Sequence, residues 1–370
     1  MINTTNIQLG YRPELDGLRG ISILLVFVHH IYAPLLPGGF LGVDIFFVLS
    51  GFLITSLLLQ EWHRSGSISI KNFYIRRALR LLPAITLLSL ALAVFALFLN
   101  DQLAGKTYHG IWLALSYVSN WLYAFRLDSA DNPLGVTWSL AIEEQFYLFW
   151  PLVLRFALRS TKLTRRGVVL ITVALIGLVI FHRAWLMNQA APVERLYYAS
   201  DTRADAILIG CLVAFLFSWN LLPQATAFKI VIKAFSVLAV AFLAYMAITA
   251  TWDDLLLYQS LVLTLISLSA GVLVVAILIL PSRLIKAVLR FVPLVWIGRI
   301  SYGLYLWHWP VKWFVYRQGN GPDSNFQMLI AILLSVGLPT LSYYLVEKRF
   351  LRWKGRFTTR TAEGSLNVET

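Results

Sequence analysis

The sequence is poor in charged residues and in cysteine. Only 13% of its 370 residues are charged, whereas a soluble protein carries roughly 25%, so the composition excludes a soluble globular protein. The single cysteine, Cys211, lies in an apolar stretch, which excludes an internal disulfide framework and a cysteine-ligated metal cluster. We also expect no cleavable signal peptide, because residues 1–17 are polar and the first apolar stretch is followed at once by others.

Acidic residues are scarce relative to basic ones. The chain has 18 Asp and Glu against 31 Lys and Arg, a formal net charge of +13. In a soluble protein this excess would indicate nucleic acid binding. Here the basic residues cluster in short segments between apolar stretches, which is typical of cytoplasmic loops facing an anionic leaflet. We therefore expect membrane lipids, and no nucleic acid, as partners.

Long apolar stretches make up most of the chain, with 59% hydrophobic residues and a mean hydropathy of +0.72. A stretch of about 17 to 25 such residues can cross a bilayer core of ~30 Å. The sequence therefore predicts an all-α polytopic membrane protein with about ten transmembrane helices, plus a shorter re-entrant or interfacial segment at 111–125. The predicted spans are residues 19–36, 40–59, 81–99, 137–158, 168–186, 204–219, 230–250, 257–280, 293–316 and 327–346.

Basic residues set the predicted orientation. They follow the second, fourth, sixth, eighth and tenth spans, so both termini are expected in the cytoplasm. We expect residues 1–356 to form a single transmembrane domain and residues 357–370 to be a polar, disordered cytoplasmic tail.

The first predicted helix carries ionisable residues that a membrane helix should avoid. Arg19 and His30 are eleven positions apart, which is about three helical turns, so they share one face with roughly 16 Å between them. Asp44 is the nearest carboxylate in sequence that could orient the imidazole. A buried histidine is often only structural, and an arginine at a helix end often snorkels to the interface. Both together at membrane depth favour a functional site.

Two clusters further along have both a structural and a functional interpretation. Arg76, Arg77 and Arg80 can present guanidinium groups together to a phosphate, although the positive-inside rule explains them equally well. Glu143 and Glu144 lie inside an apolar helix, where adjacent side chains point about 100° apart and at most one faces a given cavity. Such a carboxyl group suits acid–base chemistry, or pairs with a buried arginine.

Two later segments carry polar groups near the ends of spans. Arg203 and Asp205 stand at the outer start of one span, where a salt bridge or helix cap explains them as well as a binding site does. Ser301, Tyr305 and His308 belong to an aromatic segment that resembles an interfacial belt, except that His308 lies deeper.

Intramembrane histidine, glutamate and arginine suit the active site of an enzyme, and they also suit a proton-coupled transporter. A metal site built from His30, His308 and Glu143 lacks any supporting spacing such as His-Glu-x-x-His, so we expect no metal.

Six strings in the right order resemble the membrane acyltransferase 3 family, the O-acetyltransferases that decorate bacterial surface polysaccharides and related acceptors. The resemblance runs from Tyr11 to about Phe350, and it is to the stand-alone form without a C-terminal esterase-like domain. The strings are Arg19 with His30, GVDIFFVLSGFLIT at 42–55, YIRRALRLLP at 74–83, WSLAIEEQFYLFWP at 138–151, RADAILIG at 203–210 and ISYGLYLWHWP at 300–310.

The resemblance implies a donor, an acceptor and a location. The donor would be cytoplasmic acyl-CoA, usually acetyl-CoA, and the acceptor a hydroxyl on the outer side of the bacterial cytoplasmic (inner) membrane, on a glycan or lipid-linked saccharide. His30 would act as general base or carry the acyl group briefly, with Asp44 or Glu143 fixing its tautomer. The acceptor itself stays open between O-antigen of lipopolysaccharide, exopolysaccharide, peptidoglycan, a lipid and a small metabolite. The alternative class is a proton-coupled transporter of an acyl group or small solute, which would not consume acyl-CoA. The residues expected to bind the donor are Arg19, Arg76, Arg77 and Arg80, and those expected to bind the acceptor are Glu144, Arg203, Asp205, Ser301, Tyr305 and His308.

Overall fold

The computed structural model describes residues 10–258, 261–316 and 321–357, and throughout these ranges the regular elements are helices without any β-strand. The predicted disordered tail lies, except for Phe357, outside the described residues. The α-helices are α1 Pro13–Ile31, α2 Gly42–Ser65, α3 Ile70–Ala96, α4 Asp101–Ser116, α5 Ser119–Ala124, α6 Trp138–Arg159, α7 Arg165–Asn188, α8 Val193–Tyr198, α9 Ser200–Ser218, α10 Thr226–Thr249, α11 Leu255–Tyr258, α12 Val262–Ile279, α13 Arg283–Leu289, α14 Val292–Arg299, α15 Ser301–Val315, α16 Asn325–Ser342 and α17 Lys348–Lys354.

The chain is a multi-pass membrane protein. Six helices in the described ranges are long and apolar enough to cross a bilayer. The other predicted spans, and the orientation of the termini, stay predictions. The six helices are Gly39–Ser65, Ile70–Ala96, Arg165–Asn188, Thr226–Thr249, Val262–Ile279 and Asn325–Phe357.

Three predicted spans differ from the helices in the structure. Part of the predicted span 257–280, residues 259–260, lies outside the described residues, and α12 covers only Val262–Ile279 of it. The first span was expected to reach residue 36, but α1 ends at Ile31, shortly before Pro34. This is consistent with the poor fit of proline, and of the residue before it, to a helix. The predicted span 293–316 is divided into α14 and α15 at Ile300, whose backbone (φ −89°, ψ 4°) is not helical.

The segment around the predicted re-entrant stretch 111–125 forms two helices. The first, α4, begins ten residues before that stretch, where Asn100 caps it by accepting a hydrogen bond from the backbone N–H of Leu103 at 2.9 Å. It ends at Ser116, because the following residue, Tyr117, has a positive φ of 53° that breaks the helix before the short α5. The aromatic stretch is therefore not one continuous helix.

Close helix packing places the ionisable residues at the centre. Helices α2 and α9 approach through Gly51 and Gly210, where an added methyl group would overlap the carbonyl oxygens of Ile207 and Val48. Helix α1 packs against both α14 and α15, and α17 packs on α3. These contacts bring residues from both ends of the chain to one site.

Candidate active site

Helix α1 presents its arginine and its second histidine to the same neighbouring helix, α15. Arg19 Nη2 donates to Ser301 Oγ at 3.0 Å, and His30 Nδ1 lies 2.8 Å from His308 Nε2. The shared face that the spacing of Arg19 and His30 predicts is thus confirmed. His308 was expected to contact the acceptor, but its side chain is fully buried behind His30.

The hydrogen bonds fix which nitrogen of each imidazole carries the proton. His308 Nδ1 lies 3.0 Å from the carbonyl oxygen of Leu304, which can only accept, so this nitrogen is protonated and donates. In neutral His308, Nε2 is then the acceptor for Nδ1–H of His30. His30 Nε2 is left with a free lone pair, and it is neither bonded to another described side chain nor sealed from solvent.

A cavity opens in front of His30, and we call it the histidine cavity. Its walls are largely aromatic, with the Trp309 ring centroid 4.8 Å from that of His30. Lys312 places its ammonium group 4.5 Å from the centre of the Trp309 ring. Trp252 and Tyr198 also line this cavity. An apolar, aromatic wall with a few polar groups is typical of small-molecule sites.

A second cavity, which we call the central cavity, is separated from the histidine cavity by the side chains of Val43 and Tyr305. It is lined mainly by leucine and other apolar side chains, together with Arg19, Ser50, Glu143 and Arg80. Glu143 accepts hydrogen bonds from Ser50 Oγ at 2.9 Å and from Tyr147 Oη at 3.0 Å. Glu144 does not line this cavity, so only one of the two neighbouring carboxylates faces it.

A third cavity, the basic cavity, adjoins the central one. Arg77 and Arg80 line both, which makes the two spaces neighbours. Its remaining polar walls come from Glu61, Arg76 and Lys354, among others. The basic, central and histidine cavities therefore lie in a row, with arginines at one end and His30 at the other.

The wall between the central and histidine cavities consists of Val43 and Tyr305, which line both. Tyr305 Oη donates to the carbonyl oxygen of Val136 at 2.9 Å and shares a 2.7 Å hydrogen bond with Ser139 Oγ. Both wall residues are buried. A group that passes from the arginines to His30 must pass these two side chains.

The contacts correct the expected partner of His30. Asp44 does not contact the imidazole, because its Oδ1 accepts a 2.8 Å hydrogen bond from Arg203 Nη2 in a pair that is 1–2% exposed. Asp205 is bonded to Arg183 at 3.1 Å and is likewise buried. Arg203 and Asp205 were expected to bind the acceptor, yet neither lines any of the three cavities.

The second carboxylate candidate, Glu143, is also bonded elsewhere and does not contact His30. Arg77, expected to bind donor phosphate, donates to Glu144 Oε1 at 2.6 Å and lies over the Tyr147 ring at 3.6 Å. Thus Glu144, expected to bind the acceptor, instead pairs with an arginine. His308, not a carboxylate, orients His30.

Three site residues were missed at the level of sequence. Lys312 lies four positions after His308, on the same helical face, and this spacing could have indicated it. Val43 and Lys354 gave no such signal, because an apolar residue and a basic terminal segment have ordinary structural explanations. Across the described residues, no group of three or more His, Cys, Asp or Glu side chains is placed to hold a metal ion.

Comparison with known proteins places the geometry in context. Residues 12–344 match the family described as "Acyltransferase domain". The peptidoglycan O-acetyltransferase OatA of Listeria monocytogenes is 35% identical over 84% of this chain and 51% of its own length. The O-acetyltransferase OatA of Staphylococcus aureus is 37% identical over 91% of this chain and 57% of its own. The chain thus spans about half the length of these relatives, and no solved structure matches it.

Proposed function

Because the chain belongs to the membrane acyltransferase 3 family, we propose that it transfers an acetyl group from cytoplasmic acetyl-CoA to a hydroxyl of a cell-wall glycan on the outer side of the cytoplasmic membrane. Its relatives are named for O-acetylation, one of them for peptidoglycan, which favours transfer over the transporter alternative. The observation that carries the proposal is the position of His30, whose free Nε2 lies in a cavity separated only by Val43 and Tyr305 from an arginine-lined one.

The donor would occupy the basic and central cavities. Its phosphates fit the basic cavity, because arginine and lysine side chains bind phosphate oxygens through charge-assisted hydrogen bonds. Its long, uncharged arm fits the central cavity, whose walls combine apolar side chains with the hydroxyl groups of serine and tyrosine. The acetyl thioester would then reach the wall formed by Val43 and Tyr305.

The acceptor would enter the histidine cavity, whose aromatic side chains offer flat apolar faces next to Lys312. His30 Nε2 takes the proton of the acceptor hydroxyl while the oxygen attacks the thioester carbonyl carbon. The carbon–sulfur bond breaks, the thiolate of CoA takes the proton from the imidazolium, and His30 is neutral again. The products are the O-acetyl ester and CoA.

His308 would keep His30 ready for this step. Its Nε2 accepts from His30 Nδ1–H, so the lone pair of His30 stays on Nε2 facing the acceptor. Transfer through an acetyl-His30 intermediate uses the same nitrogen as nucleophile and the same orientation. The proposal covers both routes, since each requires Nε2 to be unprotonated and accessible.

The test is release of CoA by the purified protein. The protein is reconstituted into liposomes that enclose a soluble peptidoglycan fragment as acceptor, and acetyl-CoA is added outside, so that donor and acceptor are on opposite sides of the membrane. We expect acceptor-dependent release of free CoA thiol, with the acetyl ester found on the fragment by mass spectrometry. Movement of labelled acetate or of the acceptor across the liposome membrane without CoA release would contradict the proposal and favour a transporter.

A further inference from the structure

The basic cavity carries more positive charge than its carboxylate can balance. Within the described ranges, Glu61 is the only carboxylate on its walls, and it already accepts from Arg76 Nη2 at 2.6 Å and from the backbone N–H of Ser69 at 2.8 Å. Arg77 is bonded to Glu144. The two arginines nearest to carboxylates are therefore committed inside the protein.

Two other cations on the same walls, Arg80 and Lys354, make no direct bond to a carboxylate, although Arg80 lies within electrostatic range of Glu347. Over residues 10–258, 261–316 and 321–357, neither Arg80 nor Lys354 makes a hydrogen bond or an ion pair, and both are partly buried. Lys354 is also within electrostatic range of Arg76, Arg77 and Arg80. Like charges held together in a partly buried space repel each other, so an anion bound between them would be stabilised.

Lys354 reaches the cavity because the end of the chain is fixed against α3. It is the last residue of α17, which packs on α3. Arg76 Nη1 donates to the carbonyl oxygen of Phe357 at 2.8 Å, three residues further on. The C-terminal segment therefore forms one wall of the cavity beside the arginines of α3.

We propose that Lys354 binds a phosphate group of the nucleotide part of the donor beside Arg80, so that the C-terminal helix completes the donor site. The inference rests on the proposed function and reassigns the phosphate contact. Arg76 and Arg77 position the cavity through Glu61 and Glu144, whereas Lys354 supplies a positive charge that no carboxylate on these walls balances. Bound lipid phosphate has the same chemistry, and the experiment separates the two sources.

The experiment compares Lys354→Gln with wild type on two donors, acetyl-CoA and acetyl-pantetheine, the second of which has no phosphate. Loss of one charge-assisted hydrogen bond should raise KM for acetyl-CoA roughly tenfold, equivalent to about 1.4 kcal/mol, while kcat/KM for acetyl-pantetheine stays unchanged. Lys354→Arg should restore KM. Arg352→Gln, an exposed cation on the same helix that does not line the cavity, is the matched control.

Several outcomes would overturn the inference. Equal KM increases for both donors would show that Lys354 supports the fold or the donor arm. An unchanged KM for acetyl-CoA would show that it binds no donor phosphate. A loss in Lys354→Gln of the response to added phosphatidylglycerol, with both donors unaffected, would assign the site to lipid. If the wild-type protein used neither donor, the proposed function itself would be refuted. Calorimetry of desulfo-CoA binding to wild type and Lys354→Gln then tests the phosphate site without turnover.

Discussion

Replacing the buried Asp44–Arg203 pair separates a structural from a catalytic role for Asp44. The variants are Asp44→Leu, Arg203→Met and the double substitution. The two side chains lie 2.8 Å apart and are 2% and 1% exposed, so removing one leaves a buried charge that water does not reach. Breaking such a pair costs about 3–5 kcal/mol.

The double substitution should be far less harmful than either single one. Among the described residues, Arg203 Nε and Nη1 and Asp44 Oδ2 have no hydrogen-bond partner, so the pair is incompletely satisfied. Apolar replacements of similar volume for incompletely satisfied buried pairs are often neutral or stabilising. We expect the double variant to lie within about 1 kcal/mol of wild type, which implies a coupling energy of several kcal/mol.

The assay is SDS-induced unfolding in mixed micelles, with acetyl transfer measured on the same preparations. The structure predicts that the double variant regains both stability and activity, because Asp44 does not contact His30. Additive losses of stability would refute the ion-pair argument. A stable double variant without activity would return Asp44 to the catalytic role that the sequence indicated.

Two further predictions concern the wall and the histidine pair. His308→Leu should lower kcat roughly tenfold without changing KM for acetyl-CoA, because it removes one hydrogen bond of about 1.4 kcal/mol to His30. His308→Gln keeps a hydrogen-bond acceptor and should recover most of the rate. Equal rates for the two variants would contradict the orienting role of His308. Val43→Ala should raise the ratio of propionyl to acetyl transfer by about tenfold, because one methylene group in a pocket changes specificity by about that factor. The matched control is Leu53→Ala, because Leu53 lines the central cavity but not the histidine cavity. The same rise in this variant would show that the wall position of Val43 does not set the acyl-chain preference.

Local periodicity was enough to predict the most specific feature of the site. Arg19 and His30 share a face because they are eleven positions, about three turns, apart in one helix. That face meets Ser301 and His308. The all-helical membrane fold likewise follows from composition and the length of the apolar stretches. These features depend on neighbours in sequence, where helical geometry leaves little freedom.

The partners of the buried charges could not be read from the sequence in the same way. Asp44 is close to His30 in sequence, yet it pairs with Arg203, 159 positions away, because α2 packs on α9. Lys354 reaches Arg80 only because the end of the chain folds back on α3. Such contacts depend on how helices pack, and one sequence does not specify that packing by spacing alone.

The most direct test of the account is acetyl transfer by His30→Ala, measured beside wild type in the reconstituted system. The variant should fold and bind desulfo-CoA with unchanged affinity. Its rate of acetyl transfer should fall by a factor of about 10² to 10⁴, because the imidazole that takes the proton from the attacking hydroxyl is gone. Transfer at the wild-type rate by the folded variant would contradict the account.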